Sequence, residues 1–293
     1  MIAGRMNWTP WILIGPVLLV FAAFFGVPTL VLFLSSFDRM ELVTYKVVET
    51  FTLHQYVRFL SDPFYLGILW TTLKISFFAT FVCLVTGYPV ALCLTRVSAR
   101  ERAFLMMLIL SPLLVSVVVL SFGWIVVLAP TGLINSALKG LGLIEQPLEL
   151  RYTQTAVVVG LAHVYYPFMV LSIYNSLRNI DPQVINAARS LGASKTRAFW
   201  RVVLPLSAPG ALGGSFIIFA LSVSSFVTPT LLGGVWIKMM AFMAWQQQVH
   251  LLDWPFGAAI TVVLLAATCL IMFVYNRLAE RWWFAGVFHH QQQ

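Results

Sequence analysis

Six long apolar runs restrict this chain to folds that exist in a lipid bilayer. A transmembrane helix needs ~20 largely apolar residues, and every run reaches that length. The runs are residues 11–37, 64–94, 103–128, 153–177, 206–230 and 256–275. Only 10% of the 293 residues are charged, whereas soluble domains carry about 25%. The sequence therefore predicts an all-α, polytopic membrane protein with six transmembrane helices in a single domain, residues 1–293.

The distribution of charge predicts the orientation of these helices. Cytoplasmic segments of membrane proteins are enriched in Lys and Arg. With the N-terminus inside, eleven of the 18 Lys and Arg residues fall on the inner side and six on the outer side, while seven of the ten Asp and Glu residues fall outside. The bias predicts N-in/C-in. It also explains the net charge of +8 by topology and contact with anionic membrane lipid, without nucleic acid. No convincing small-residue cleavage site follows the first run, which we interpret as an uncleaved span.

The segment 181–205, DPQVINAARSLGASKTRAFWRVVLP, is basic and amphipathic and lies between two apolar runs. Asp181 is a good N-cap, and Gly192 can take the left-handed conformation that ends a helix. Ser194 can cap a second helix, which Pro205 is expected to end because proline has no N–H to donate. The segment predicts two short cytoplasmic helices joined by a tight turn. The basic residues expected to face water are Arg189, Lys195, Arg197 and Arg201.

This segment resembles the EAA loop in permease subunits of ABC importers: Glu-Ala-Ala, three residues, Gly, nine residues, an aliphatic residue, one residue and Leu-Pro. The matching residues are Ala187, Ala188, Gly192, Val202, Leu204 and Pro205. Asn186 stands where the family has Glu. The resemblance implies a loop that inserts into a groove on an ATPase subunit and transmits its motion. The coupling residues that it implies are Asn186, Ala187, Ala188, Arg189, Leu191, Gly192, Ala193, Lys195, Leu204 and Pro205. An amphipathic helix on the membrane surface is the alternative; a DNA-binding helix-turn-helix is disfavoured by the flanking apolar runs.

A broader resemblance covers most of residues 100–275. The matching stretches are GLIN (132–135), YYPFMV (165–170), NIDP (179–182), FVTPTLLGG (226–234) and WPFGAA (254–259). They are similar to the spermidine/putrescine-type permease family. The resemblance implies a multi-pass subunit of a bacterial inner membrane importer, with an ABC ATPase dimer, a second and different permease chain and a periplasmic solute-binding protein as partners. The chain has no G-x-x-x-x-G-K-[ST] motif, so ATP and Mg²⁺ are expected on the ATPase and no cofactor on this chain.

The end of the fifth run, LSVSSFVTPTLLGG (221–234), concentrates small hydroxyl side chains. Such residues permit close helix packing and can also line a polar conduit. The predicted substrate-pathway residues are Trp124, Tyr165, Tyr166, Ser222, Ser224, Ser225, Phe226 and Thr228. Polyamine permeases of this type often have an acidic residue where Ser224 and Ser225 stand, and a dication needs carboxylates or aromatic faces. Polyamine, amino acid-like and anionic solutes therefore all stay open as substrates.

Three predicted outer segments, residues 38–63, 129–152 and 231–255, are longer than simple turns. Their length indicates a docking face for a partner on the outer surface. The second of them, from Gly132 to Gly142, predicts a short helix.

The sequence contains few of the residues that other classes of function require. Cys83, Cys93 and Cys269 lack metal-ligand spacing, so no metal site is expected. A secondary transporter or channel usually places carboxylates or histidines in its spans; here His163 is the one histidine in a run. A membrane enzyme or assembly scaffold is the remaining alternative, although no catalytic cluster stands out. Lys74 is the one Lys, Arg, Asp or Glu well inside a run, and it either snorkels to the membrane surface or lines a pathway.

Overall fold

The computed structural model describes residues 9–41, 46–48 and 51–288, and helices dominate this part of the chain. The helices are α1 (Thr9–Phe21), α2 (Val27–Ser35), α3 (His54–Ser61), α4 (Pro63–Leu94), α5 (Ala99–Leu114), α6 (Val117–Val127), α7 (Leu133–Gly140), α8 (Gln154–Arg178), α9 (Pro182–Ser190), α10 (Lys195–Ala198), α11 (Leu204–Val223), α12 (Val227–Gly233), α13 (Met240–Trp245) and α14 (Trp254–Phe288). π-helical turns lie at Ala22–Gly26, Phe199–Val203 and Gln246–His250. The predicted all-α class is confirmed, with one small addition. Strand β1 (Arg39–Glu41) pairs antiparallel with β2 (Lys46–Val48), with Arg39 opposite Val48.

Five segments of the described chain are long and apolar enough to cross a membrane. They are Ile14–Ser35, Pro63–Leu94, Gln154–Arg178, Lys195–Val223 and Trp254–Leu278. The helix pair α5 and α6 supplies a sixth if it counts as one span. The predicted number of spans is thus reached only with this pair, and the predicted N-in/C-in orientation stays a prediction.

The third predicted run is not one straight helix, which corrects the sequence-based expectation. Helices α5 and α6 meet at an angle of 100°. Between them, Val115 has an extended backbone, with φ −107° and ψ 141°, and Ser116 stands at the start of α6. Pro112 lies in the last turn of α5, where its missing N–H weakens the helix. Hydropathy shows how apolar a segment is but not the direction of its helix axis. Because the residues on both sides of the bend are apolar, the sequence contained no sign of the bend.

The expectation that Pro205 ends the second short helix is wrong. The backbone continues from α10 through the π turn Phe199–Val203 directly into α11, and Pro205 lies in the first turn of α11. Pro28 follows the π turn Ala22–Gly26 in the same way. A π turn shifts the hydrogen-bond register by one residue, so the missing proline N–H and the bulk of the ring are absorbed without a break in the helix.

The chain divides into two compact units. The first unit, residues 1–65 with 243–264, contains an ion pair between Arg58 and the buried Asp253 at 2.8 Å. The Arg58 guanidinium also lies 3.9 Å from the centre of the Phe256 ring. Tyr65 packs edge-to-face on Phe256 and accepts a hydrogen bond from Gln247 at 3.0 Å. These contacts link the start of α4 to the start of α14 within this unit.

The second unit, residues 66–242 with 265–293, is built around α8. One apolar cluster joins Met169, Val170 and Ile173 of α8 to buried residues of α4. Another joins Leu161 on the earlier half of α8 to Leu232 of α12, together with residues of α4. Helix α11 makes the most extensive contact with α8, because glycines on α11 allow the two backbones to approach closely.

Candidate functional site

The segment 181–205 forms the two capped helices that its sequence predicts. The Asp181 carboxylate accepts a hydrogen bond from the Gln183 N–H at 2.8 Å. The Ser194 hydroxyl accepts one from the Arg197 N–H at 3.3 Å. Gly192 joins the helices with a left-handed φ of +86°. Each of these features depends on residues within three positions of one another, which is why the sequence predicted them correctly.

The outward surface of this helix pair is unusually bare. Helix α9 has no buried residue, and Leu191 at its end is 90% exposed. Val184, an apolar residue of α9, is also exposed. All four of the basic residues expected to face water are exposed, which confirms that expectation. An open groove of about 610 Å³ follows the turn. Its lining residues are Asn186, Arg189, Ser190, Gly192, Ala193 and Ser194. The outward surface of the helix pair therefore combines an exposed leucine, exposed basic side chains and an open groove.

The inward surface of the pair is attached to three long helices. Ala198 is buried and Phe199 is half-buried, and Phe199 packs edge-to-face on Tyr88 of α4. The hydroxyls of Tyr88 and Ser207 of α11 share a hydrogen bond of 2.6 Å. A cavity of about 380 Å³ lies between the pair and the ends of α4 and α8. Helix α10 runs on through the π turn into α11 without a break, so the helix pair is continuous with the helix that packs on α8.

The predicted pathway residues of the fifth run lie at the break between α11 and α12. Ser225 and Thr228 are buried, and Ser224 is exposed with its hydroxyl donating to the Ala220 carbonyl at 3.0 Å. The Ser222 hydroxyl is buried and has no hydrogen-bond partner among the described residues. Phe226 stacks on Phe242, with ring centres 6.0 Å apart. The break therefore mixes satisfied, exposed and unpartnered hydroxyls within a few residues.

The remaining pathway residues divide between two places, because Trp124 and Tyr165 both pack against the apolar cluster around Leu161, whereas Tyr166 contacts α4. Trp124 of α6 donates its indole N–H to Nδ1 of His163 at 3.0 Å. Tyr165 packs against both apolar clusters. The Tyr166 hydroxyl instead donates to the Thr86 carbonyl of α4 at 3.1 Å. Trp124 and Tyr166 thus face different neighbours, and the pathway assignment stays a prediction.

Two residues that were not among the predicted pathway residues, Ser121 and His163, contact residues of the predicted pathway. The Ser121 hydroxyl of α6 lies 3.5 Å from that of Thr228, and His163 holds the Trp124 indole. Ser121 is a lone hydroxyl inside an apolar stretch, and this was the available signal. Within the described residues, no three His, Cys, Asp or Glu side chains are arranged to hold a metal ion.

Comparison with known proteins adds an independent observation. The family model described as "Binding-protein-dependent transport system inner membrane component" matches residues 84–284. The spermidine/putrescine transport system permease protein PotB of Escherichia coli (strain K12) is 33% identical over 257 residues, which cover 88% of this chain and 93% of that protein.

Two solved structures share the fold. A chain of a bacterial alginate ABC transporter, in complex with an alginate pentasaccharide-bound periplasmic protein, matches with a TM-score of 0.75 at 15% identity, covering 94% of this chain and 95% of that one. A chain of the MetNI methionine ABC transporter in an inward-facing conformation matches with a TM-score of 0.56 at 19% identity, covering 74% of this chain and 94% of that one. At these identities the likeness concerns the fold alone.

Proposed function

Because the chain belongs to the family of binding-protein-dependent transport system inner membrane components, we propose that it forms half of a translocation pathway whose movement is driven through the segment 181–205. As a member of that family, the chain is a multi-pass permease subunit of an ABC importer and not an enzyme. The family implies an ATPase and a solute-binding protein as partners. The identity of the surfaces that meet them is our proposal.

The exposure of Leu191 is the observation that carries this assignment. Leu191 is 90% exposed, and Val184, seven positions earlier on the same face of the helix, is exposed as well; an apolar surface with a groove and basic residues around it is typical of a docking surface. A separate ATPase would cover it. Burial of one leucine contributes ~1.5–3 kcal/mol, enough to make this position important for assembly.

Continuity of the backbone supports the mechanical part of the proposal. The turn at Gly192 is followed by α10, the π turn and α11. Helix α11 is tied to α8 by the Ser172 hydroxyl, which donates to the Gly210 carbonyl at 2.8 Å. Closure of an ATPase dimer around ATP and Mg²⁺ would push the helix pair and tilt α11, α8 and α4 together. Access to the pathway would then switch from one side of the membrane to the other.

The proposed assembly contains two permeases, this chain and a different second one, with two ATPase copies in the inner membrane of a bacterium. The solute-binding protein would dock on the segments 38–63, 129–152 and 231–255. Family membership supports this composition. In this arrangement affinity for the solute resides mostly in the binding protein, and the pathway needs only weak attraction.

A small organic solute of the polyamine type is the first substrate to test. The identity to the PotB permease supports this choice. The predicted pathway offers the aromatic faces of Trp124, Tyr165, Tyr166 and Phe226, which attract ammonium groups. The predicted pathway residues include serines and a threonine but no Asp or Glu. We therefore expect the pathway to bind a polyamine only weakly during transport. An amino acid-like solute is the second candidate because it needs no acidic pathway residue.

The variant Leu191→Asp tests the docking proposal, with Leu141→Asp as a matched control. Leu141 stands at the end of α7, is 73% exposed and precedes another glycine with positive φ. The measurements are retention of the ATPase during purification and ATP-dependent uptake of radiolabelled spermidine into proteoliposomes. We expect Leu191→Asp to weaken ATPase retention about tenfold or more, as the loss of ~1.5–3 kcal/mol of leucine burial requires, and to reduce uptake.

Leu141→Asp should retain the ATPase fully, because its side chain belongs to a different segment. Full ATPase retention and uptake in Leu191→Asp would contradict the docking role. Spermidine uptake by the wild type without nucleotide would contradict the ATP-driven mechanism and favour a secondary transporter or channel.

A further inference from the structure

Lys74 is an exposed cation on the transmembrane helix α4. Within the described residues the one ion pair joins Arg58 to Asp253, and Lys74 takes no part in it. The neighbouring side chains on the same face of α4, Trp70 and Phe78, are large, apolar and exposed. A face of this composition suits lipid. A lysine there is unfavourable unless its ammonium reaches the headgroups or an anion.

The depth of Lys74 follows from the residues that share its cavity. Lys74 lines a cavity of about 320 Å³ together with Gln154 and Thr155, which are the first residues of α8. Because α8 is itself a span of 25 residues, its first turn lies near a membrane surface. Trp70, one turn before Lys74, is 68% exposed, as is typical of tryptophans at the membrane–water interface. The Lys74 end of the cavity therefore lies near a membrane surface, and Phe78 and Val82 extend the cavity toward the middle of α4.

The polar groups of this cavity are suited to an anion. Lys74 contributes an ammonium group, and Thr155 and Gln154 contribute a hydroxyl and an amide. The first turn of α8 adds backbone N–H groups and the positive end of the helix dipole. The Thr153 hydroxyl occupies only one of these donors, the Ala156 N–H. No Asp or Glu lines the cavity.

The rest of the cavity wall is apolar. The side chains of Ile75, Phe78, Val82 and Val158 line it. An anion with a hydrocarbon tail fits this combination, because the ammonium group and the polar side chains suit the charged group and the apolar wall suits the tail. A free anion would gain nothing from that wall.

We propose that this cavity binds an anionic phospholipid, with Lys74 paired to the lipid phosphate and the acyl chain against Phe78 and Val82. With the predicted N-in orientation, the lipid lies in the outer leaflet. The site concerns assembly in the membrane and does not depend on which solute the importer carries.

The test compares wild type, Lys74→Met and Lys139→Met in the purified importer with its companion subunits. Lys139 is exposed on α7, so its variant makes the same change in charge elsewhere. Lipid retention is measured by native mass spectrometry after titration with phosphatidylglycerol or phosphatidylcholine. Thermal unfolding is followed in parallel. Inorganic phosphate, added to lipid-free detergent samples, separates a phosphate site from a lipid site.

We expect Lys74→Met to bind phosphatidylglycerol about fivefold more weakly, the factor that corresponds to ~1 kcal/mol per basic residue. The stabilisation by phosphatidylglycerol over phosphatidylcholine should shrink in Lys74→Met and persist in Lys139→Met. Equal phosphatidylglycerol binding in all three proteins would overturn the proposal. Stabilisation of the wild type by inorganic phosphate alone would overturn the lipid assignment. Loss of solute uptake in Lys74→Met, with unchanged lipid binding, would instead assign Lys74 to the pathway.

Discussion

Gly192 holds the turn of the coupling segment in a conformation that residues with a side chain rarely adopt. Its φ is +86°, and a Cβ added there would meet no atom within 4 Å. Substitution therefore strains the backbone, by ~1–2 kcal/mol, without any collision. We predict that Gly192→Val alters the angle between α9 and α10 and uncouples ATP hydrolysis from uptake, while the protein still inserts in the membrane. Phosphate release and solute uptake, measured on the same proteoliposomes, give the coupling ratio.

Gly142 provides the matched control for this prediction. Its φ is +69°, and its added Cβ would also meet open space. Gly142→Val therefore imposes a similar backbone strain on a segment that we do not assign to the ATPase. Because this outer segment is proposed to meet the solute-binding protein, the comparison is made with saturating binding protein, where the ratio of phosphate released to solute transported in Gly142→Val should equal that of the wild type. An unchanged ratio in Gly192→Val would count against a coupling role for this turn.

Ser222 is a second residue whose environment makes a definite prediction. Its hydroxyl is buried without a partner among the described residues, and such a group costs ~1–3 kcal/mol. Ser222→Ala should therefore raise the thermal stability of the importer. Ser215→Ala is the comparison, because the Ser215 hydroxyl donates to the Ala211 carbonyl at 2.7 Å, so no unpartnered hydroxyl is removed there.

The thermal stability of the Ser222→Ala variant reports on the resting conformation, whereas solute uptake by this variant depends on every conformation of the transport cycle. Higher stability with lower uptake would indicate that the Ser222 hydroxyl finds a partner elsewhere in the transport cycle, as a pathway residue would. A lower melting temperature for Ser222→Ala than for Ser215→Ala would show that the hydroxyl is already satisfied.

At the scale of elements, the contact between α8 and α11 depends on glycine. A Cβ on Gly210 would lie 2.4 Å from the Ser172 carbonyl oxygen and 2.6 Å from the Ser176 hydroxyl. A backbone carbonyl cannot rotate away, so the helices must separate. Overpacking of this kind costs ~1–3 kcal/mol. We predict that Gly210→Val lowers both the melting temperature and the uptake.

Gly213→Ala tests whether the effect comes from this contact. One turn away on α11, the Cβ of Gly213→Ala would lie 3.5 Å from the Ser172 hydroxyl, an ordinary contact. Its melting temperature should stay near that of the wild type. Equal melting temperatures for Gly210→Val and the wild type would mean that α8 and α11 do not need this close approach.

Local signals in the sequence predicted some elements and missed others for physical reasons. The caps at Asp181 and Ser194 were predicted because each hydrogen bond spans at most three residues. The prediction for Pro205 was wrong because a proline cannot donate an α-helical hydrogen bond, but a helix can still continue through it when a π turn precedes it. The bend after Leu114 was missed because hydropathy is the same on either side of it.

At the scale of the whole molecule, the apolar runs predicted the class because a bilayer constrains length and composition directly. Contacts between distant parts of the chain were not predictable in this way. The indole of Trp124 and the imidazole of His163 belong to different helices, and Arg58 and Asp253 are 195 positions apart. Which donor meets which acceptor depends on how the helices pack, and a single sequence does not record this.

The orientation of the whole chain is the prediction on which the coupling proposal depends. An ATPase can meet the segment 181–205 only if that segment lies on the cytoplasmic side. The excess of Lys and Arg on the predicted inner segments favours this side. Ser190 and Ser136 offer conservative positions for a test, because both are exposed and lie on predicted opposite sides. Replacement of the three native cysteines gives the background for single Ser→Cys variants.

In spheroplasts, a membrane-impermeant maleimide should label the Ser136→Cys variant, because α7 belongs to a predicted outer segment. The Ser190→Cys variant should react only after lysis and removal of the ATPase with a chaotrope, because Ser190 lines the groove that we propose the ATPase covers. The cysteine-free background must stay unlabelled in both conditions, and labelling of both variants after this treatment shows that both positions are accessible. The reverse pattern would place the helix pair outside the cell, where no ATPase can reach Leu191, and coupling through this segment would then be impossible.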